Sequence, residues 1–255
     1  MSMIKRSIRL ALMTILIGAI SNEASAQATS SVQEAAEDSV AHKAKAVEVY
    51  VGTDIVSQYI WRGLMLGSAS LQPTASVSWK GLSLSAWGSV GFVNRDDPYE
   101  IDFTLSYSVA GVSLGITDYW NTEGDERYFH YKPESTGHVF EAFVGYDFGF
   151  LNVSWQTIFA GADGLNNSDN RAYSSYFELN VPFHLWTCDW AGSLGIVPYA
   201  TSYYDTDAFA VTNVSLRCTK EIPLGRRFKL PIFAQVTANP NAKKLYFVGG
   251  ITVGI

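Results

Sequence analysis

The residues able to do chemistry are spread singly along the chain rather than gathered in one motif. Asp54, Lys80, Glu100, Asp102, Glu141, Asp147, Glu178 and Arg217 each interrupt a segment of alternating apolar and polar residues, and Arg62 follows the apolar run in "VSQYIWRGLML" (56–66). Carboxylates ringing a water-filled bore favour cations. The same acids paired with bases would instead form a network that closes the bore. Acyl transfer needs a nucleophile beside a base and an orienting group. The histidines are His42, His130, His138 and His184, and none shares a strand face with a credible nucleophile. His130 and His138 with Asp125, Glu126 and Glu134 match no recognised metal-ligand spacing. No enzyme activity, metal or cofactor is therefore expected.

The elements that position these residues are strands. "LQPTASVSWK" (71–80) sets Leu71, Pro73, Ala75, Val77 and Trp79 against Gln72, Thr74, Ser76, Ser78 and Lys80. "YEIDFTLSYSV" (99–109) and "LYFVGGITVGI" (245–255) repeat the pattern. Successive strand side chains point to opposite faces, so each segment has one apolar face and one polar or small face. A β-sandwich would show the same alternation, but three features favour a barrel. Tight connections such as "WKGL" (79–82), "VAGV" (109–112) and "DFGF" (147–150) alternate with long polar ones at 92–99, 121–137 and 161–171. Aromatics gather at segment ends: Tyr59, Trp61, Trp79, Tyr99, Tyr119, Trp120, Tyr203 and Tyr204. The last segment runs to Ile255, as a closing strand would. The expected fold is all-β, an antiparallel transmembrane β-barrel with both ends periplasmic, since only a closed sheet satisfies every backbone group in lipid.

Twelve strands are expected, near 47–62, 70–80, 82–92, 99–109, 112–121, 138–147, 150–160, 172–182, 190–204, 208–221, 227–238 and 244–255. Ten is the alternative, because "VPFHLWTCDWAG" (181–192) carries a poor turn signal. In the first strand one parity puts Val47, Val49, Val51, Ile55, Tyr59 and Trp61 toward lipid. The other puts Glu48, Tyr50, Asp54, Gln58 and Arg62 toward the lumen, with Gly63 opening the first external loop. Trp87, Tyr119, Phe143, Tyr176 and Phe233 share the inward parity and would fill much of a narrow barrel. An open channel with mild cation preference and a closed lumen are both compatible with these residues. A third possibility is a structural or surface-binding barrel, with Tyr128, Phe129 and Tyr131 of the long loop at the contact or folded over the mouth.

Residues 1–26 read as a secretory signal. Lys5, Arg6 and Arg9 precede "LALMTILIGAI", and "ASA" ends at Ala26, so Gln27 becomes the new N-terminus. Residues 27–46 read as a periplasmic tail and 47–255 as the barrel. Removing three basic residues from 18 and one acidic residue from 24 leaves a net charge of −8. That charge disfavours nucleic acid as a partner. After the signal no apolar run reaches the length of a transmembrane helix. Cys188 and Cys218 could pair in an oxidising compartment, but their spacing does not decide it. The expected partners are outer-membrane lipid, the barrel-assembly machinery and small polar solutes.

"SQYIWRG" (57–63) followed by "SLQPTASVSWKGLSLSAWGSV" (70–90) resembles the TorF-type porins, a group of bacterial outer-membrane proteins also called Gcw_chp. The residues carrying the likeness are Ser57, Tyr59, Trp61, Arg62 and Gly63, then Trp87, Gly88 and Ser89. It continues through "YEIDFTLSYSVAGVSLGITDYWN" and "HVFEAFVGYDFGFLNVSW". The long loop after residue 121 and the terminal isoleucine depart from the pattern. The resemblance implies an outer-membrane barrel and no defined activity.

Overall fold

Alternation of apolar and polar residues decides which segments become strands and which face each turns outward. The computed structural model describes residues 47–94, 96–122, 127–132, 135–225 and 228–255. The expected signal, its Ala26–Gln27 cleavage point, the tail with His42, and loop residues Asp125, Glu126 and Glu134 lie outside the described residues. Fourteen strands follow in order: β1 (Glu48–Val56), β2 (Tyr59–Trp61), β3 (Leu64–Gly67), β4 (Ser70–Trp79), β5 (Leu82–Gly91), β6 (Tyr99–Val109), β7 (Val112–Thr122), β8 (His138–Asp147), β9 (Asn152–Gly161), β10 (Ser175–Leu185), β11 (Cys188–Val197), β12 (Ala210–Pro223), β13 (Lys229–Asn239) and β14 (Lys244–Gly254). The twelve long ones, β1 and β4 to β14, close into an antiparallel barrel, with β1 paired to both β4 and β14. Closure leaves no sheet edge with unpaired backbone groups.

On β6 the outward residues Ile101, Phe103, Leu105, Tyr107 and Val109 are exposed, while Glu100 and Asp102 on the other parity are buried. The other wall strands follow the same rule. The short turns work because both of their residues accept a left-handed backbone. Lys80–Gly81 (φ 51° and 85°) and Ala110–Gly111 (φ 51° and 82°) are such pairs, the geometry that matches the twist of a two-residue hairpin. The doubtful segment 181–192 also proves to be a hairpin, with Trp186 at φ 58° in its turn. Ten strands is thereby excluded. The start of β1 and the end of β14 share the barrel end that carries these tight turns.

The first strand departs from expectation. It stops at Val56, and residues 59–67 form a separate hairpin, β2–β3, inside the barrel. Tyr59 and Trp61 are buried rather than turned to lipid. The cause lies in the turn. Arg62 and Gly63 take φ 49° and 80°, the same left-handed pair as Lys80–Gly81, so the chain reverses inside the bore instead of at the rim. Lys80 is likewise not lumenal. It occupies the β4–β5 turn, exposed, with Nζ 4.6 Å from the Trp79 ring centre. Asp147 closes β8 at a turn and accepts a 2.7 Å hydrogen bond from the Gly149 amide. Cys188 and Cys218 are free thiols on adjacent strands, offset from direct register.

The described aromatics of the long loop after β7, Tyr128 and Tyr131, fold against the outer wall and not over the mouth. His138 and Asp118 both lie on outward parity, 2.8 Å apart, and His138 is fully buried. Tyr131 stacks on His138 at 4.3 Å, and Tyr128 packs on Trp120 and Phe103. Phe129 stands free at the surface. Aromatic cover of this kind hides a polar pair on a face that is otherwise apolar.

Candidate functional site: the bore and its inserted hairpin

The hairpin meets the inward faces of strands all round the barrel. Tyr59 packs on Trp87 of β5 at 5.5 Å, and Ile60 joins Phe233, Tyr246 and Val248 of β13 and β14. Trp61 lies edge-on to Tyr119 of β7 and stacks on Tyr204 at 5.7 Å. Tyr203 and Tyr204 come from a 3₁₀ turn (Ser202–Tyr204) in the β11–β12 loop, so Tyr204 is a bore residue and not part of an interfacial girdle.

Arg62 is the centre of this arrangement. Its Nη1 and Nη2 donate to Glu141 Oε2 and Oε1, each at 2.7 Å, in a two-pronged pair. Nη1 also donates to the Tyr204 hydroxyl, and Tyr119 donates to Glu141 Oε1 at 3.1 Å. The guanidinium carbon lies 4.4 Å from the Trp61 ring centre and 4.5 Å from that of Tyr176. Side chains of both ion-pair partners are almost wholly buried. Such geometry is the best-compensated form of a buried ion pair. Gly63 completes the turn: its carbonyl accepts from Asn239 Nδ2 at 3.1 Å. A Cβ there would stand 1.9 Å from the Thr212 carbonyl oxygen. Gly63→Ala is expected to cost more than about 2 kcal/mol, since clash and left-handed strain combine. Chemical unfolding of the variant measures it, and a neutral effect would mean the hairpin does not sit in the bore.

The barrel is asymmetric along its length. The hairpin occupies the half nearer the long loops. The half nearer the tight turns is lined by hydroxyls, half-buried except for the buried Thr117: Ser78 bonds Ser83 at 2.9 Å, Ser108 bonds Ser113 at 2.9 Å, and Thr104 meets Thr117 at 3.0 Å. As expected, inward aromatics fill much of the half that holds the hairpin: Trp87 and Tyr176 pack with Tyr59, Trp61 and Tyr204, Tyr119 meets Trp61, and Phe233 packs with Ile60. Several lie over wall glycines: Tyr50 over Gly52 and Gly254, Phe143 over Gly115, Tyr176 over Gly195 and Phe233 over Gly250.

Of the sequence-predicted charges, Asp54, Arg62, Glu100, Asp102 and Glu141 are buried inside the barrel, with Glu178 and Arg217 half-buried on inward parity. Asp54 accepts from Thr252 at 2.6 Å with Arg217 nearby. Glu178 accepts from Tyr176 at 3.1 Å. Arg217 lies 3.6 Å over the Phe233 ring. Glu100 and Asp102 sit together on β6, and Asp102 Oδ1 is buried with no hydrogen-bond partner among the described residues. Five acids against two bases leave the described bore acidic. Sequence reasoning missed the bore roles of Tyr204, which a loop inserts, and of Asn239, whose neutral amide carries no charge signal, whereas the inward parity of Gln72 was read from the alternation.

Reactive chemistry finds little support. Both ring nitrogens of His138 are engaged, by Asp118 and by the Tyr128 carbonyl. His130 Nε2 meets Ser135 Oγ at 2.8 Å on an exposed loop. Sequence reasoning also overlooked one G-x-S-x-G string, "GVSLG" at 111–115. Its Ser113 lies on a strand bonded to Ser108, not on the strand-to-helix elbow that exposes a nucleophile. No group of three or more metal-ligating side chains occurs among the described residues.

At the loop end, Asp97 clasps the first two loops together. It accepts from the Ser68 amide at 2.8 Å, from the Ser68 hydroxyl and from Asn94 Nδ2 at 2.9 Å. The Ser68 hydroxyl above all holds its carboxyl below the ordinary aspartate range. A depressed folded value means the clasp contributes fully above the unfolded pKa and is lost as pH falls through the folded one. Amide protection around Ser68 and Asn94, measured relative to the intrinsic exchange rate at each pH, should therefore fall on acidification below about pH 4. Asp97→Asn should show faster exchange already at neutral pH. Protection that stays constant across this pH range would contradict the clasp.

Fold and bore together define a closed twelve-stranded antiparallel barrel with a polar lumen. No protein-family model and no curated protein matches the chain. Among solved structures it is similar to the NanC porin (10% identity, 81% of this chain and 98% of that one, TM-score 0.40). It is also similar to OmpF of Salmonella typhi in complex with daunomycin (7%, 83% and 98%, TM-score 0.35). A third likeness is to outer membrane phospholipase A from Escherichia coli (12%, 81% and 91%, TM-score 0.38). These likenesses are distant, and the resemblance to TorF-type porins rests on the quoted motifs alone.

Proposed function

We propose that this chain is an outer-membrane barrel of the TorF type that passes small ions or polar solutes, with cations preferred, through a bore narrowed by its own hairpin. It reaches that membrane through a cleaved signal and the barrel-assembly machinery, with the tight turns facing the periplasm. An apolar outer face over all twelve strands suits lipid. The observation that carries transport is a set of buried polar atoms in the bore that the protein leaves unpaired. Both amide atoms of Gln72, Asp102 Oδ1, Asn152 Oδ1 and Gln156 Oε1 are buried without protein partners. Buried polar groups left unpaired by protein are satisfied by water.

A second reading is a closed barrel that acts structurally or through its surface. The Arg62–Glu141 pair favours it, because it pins the hairpin across the bore. Replacing Glu100 with Gln and Asp102 with Asn separates the two. Removing acids from a conducting path moves the reversal potential toward zero in a salt gradient while the barrel stays folded. An unchanged reversal potential would take these residues out of the path.

A further inference from the structure

Apart from the ring of Trp61, which the hairpin itself supplies, the side chains that receive Arg62 belong to the wall and one loop. Glu141 comes from β8, Tyr119 from β7, Tyr176 from β10 and Tyr204 from the β11–β12 loop. Together they form a carboxylate presented edge-on to a planar cation, with one aromatic face alongside it and a phenol oxygen to accept a further hydrogen bond. This combination suits a guanidinium, which offers parallel N–H pairs and a weakly hydrated face for stacking. An ammonium ion would use one prong and gain less from the rings. The row of hydroxyls also leads to this point, since Thr104 pairs with Thr117 and Thr117 with Glu141 in register.

We propose that the Glu141–Tyr119–Tyr176–Tyr204 cage is a binding site for guanidinium-bearing solutes, and that Arg62 occupies it as a displaceable internal ligand. The proposal rests on the reading of the bore as a solute path, and it names the solute class. A solute entering from the hydroxyl-lined half competes with the hairpin for Glu141. Its apparent affinity is reduced by the fraction of time that Arg62 holds the site.

The test uses refolded Arg62→Ala barrel in detergent, titrated with methylguanidinium or with methylammonium at equal ionic strength. Thermal melting and tryptophan fluorescence give the readouts. The expected result is a lowered Tm that methylguanidinium restores saturably in the millimolar range. Methylammonium should restore far less, and Arg62→Ala/Glu141→Gln should abolish the rescue. Wild-type protein should respond with an apparent affinity at least tenfold weaker. If Arg62→Ala refolds poorly, methylguanidinium in the refolding buffer should raise the yield. Equal effects of the two cations, no saturable rescue, or no gain in refolding yield would overturn the site. A wild type unresponsive at a hundred times the rescuing concentration would overturn displacement. Rescue without ion current in bilayers would keep the site and sink the transport reading.

Discussion

Glu141→Ala lowers the unfolding free energy of the barrel by about 3–5 kcal/mol, the cost of stranding a buried cation. Arg62 is buried on every side, and Glu141 accepts a hydrogen bond from each of its terminal nitrogens. The Tyr204 hydroxyl and the rings of Trp61 and Tyr176 cannot replace a full negative charge. The double variant Arg62→Met/Glu141→Leu should cost clearly less than Glu141→Ala alone, because it removes both charges and keeps apolar volume. Urea unfolding in lipid vesicles, run as a double-mutant cycle, measures the coupling. A single-variant loss below about 1 kcal/mol would mean that the pair is solvated.

Leu105→Arg is expected to cost about 2–4 kcal/mol, as a cation does on the lipid face near the bilayer midplane. Leu105 lies midway along β6, exposed on outward parity between Phe103 and Tyr107. Thr104→Arg, one residue away, points into the bore and should cost markedly less. The difference between adjacent positions is the signature of a sheet with lipid on one side and water on the other. Equal losses in the same vesicles would contradict the outer-membrane reading.

Much of the wall was legible because period-two alternation is a local signal. The segment 99–109 was expected as a strand with those bounds and is β6, and 138–147 is likewise β8. The inward parity of Asp54, Glu100, Asp102 and Glu141 follows from the same signal. The hairpin was not read, although "WRGL" at 61–64 has the same form as the tight turn "WKGL" at 79–82. Its aromatics matched the composition of a membrane girdle, and nothing local tells a ring facing lipid from a ring packed in a bore. Tyr204 was misplaced for the same reason. The pairing of Arg62 with Glu141 joins residues 79 positions apart, and only closure of the barrel brings them together. Lys80 was assigned to the lumen because alternation was carried one residue too far into a turn.

Passage of ions through this bore is the property on which the transport reading stands. Purified wild-type protein, refolded and reconstituted in planar bilayers under a potassium chloride gradient, tests it directly. Discrete currents with a reversal potential on the cation-selective side are expected. An intact, heat-modifiable barrel that carries no current, or one that prefers chloride, would contradict it.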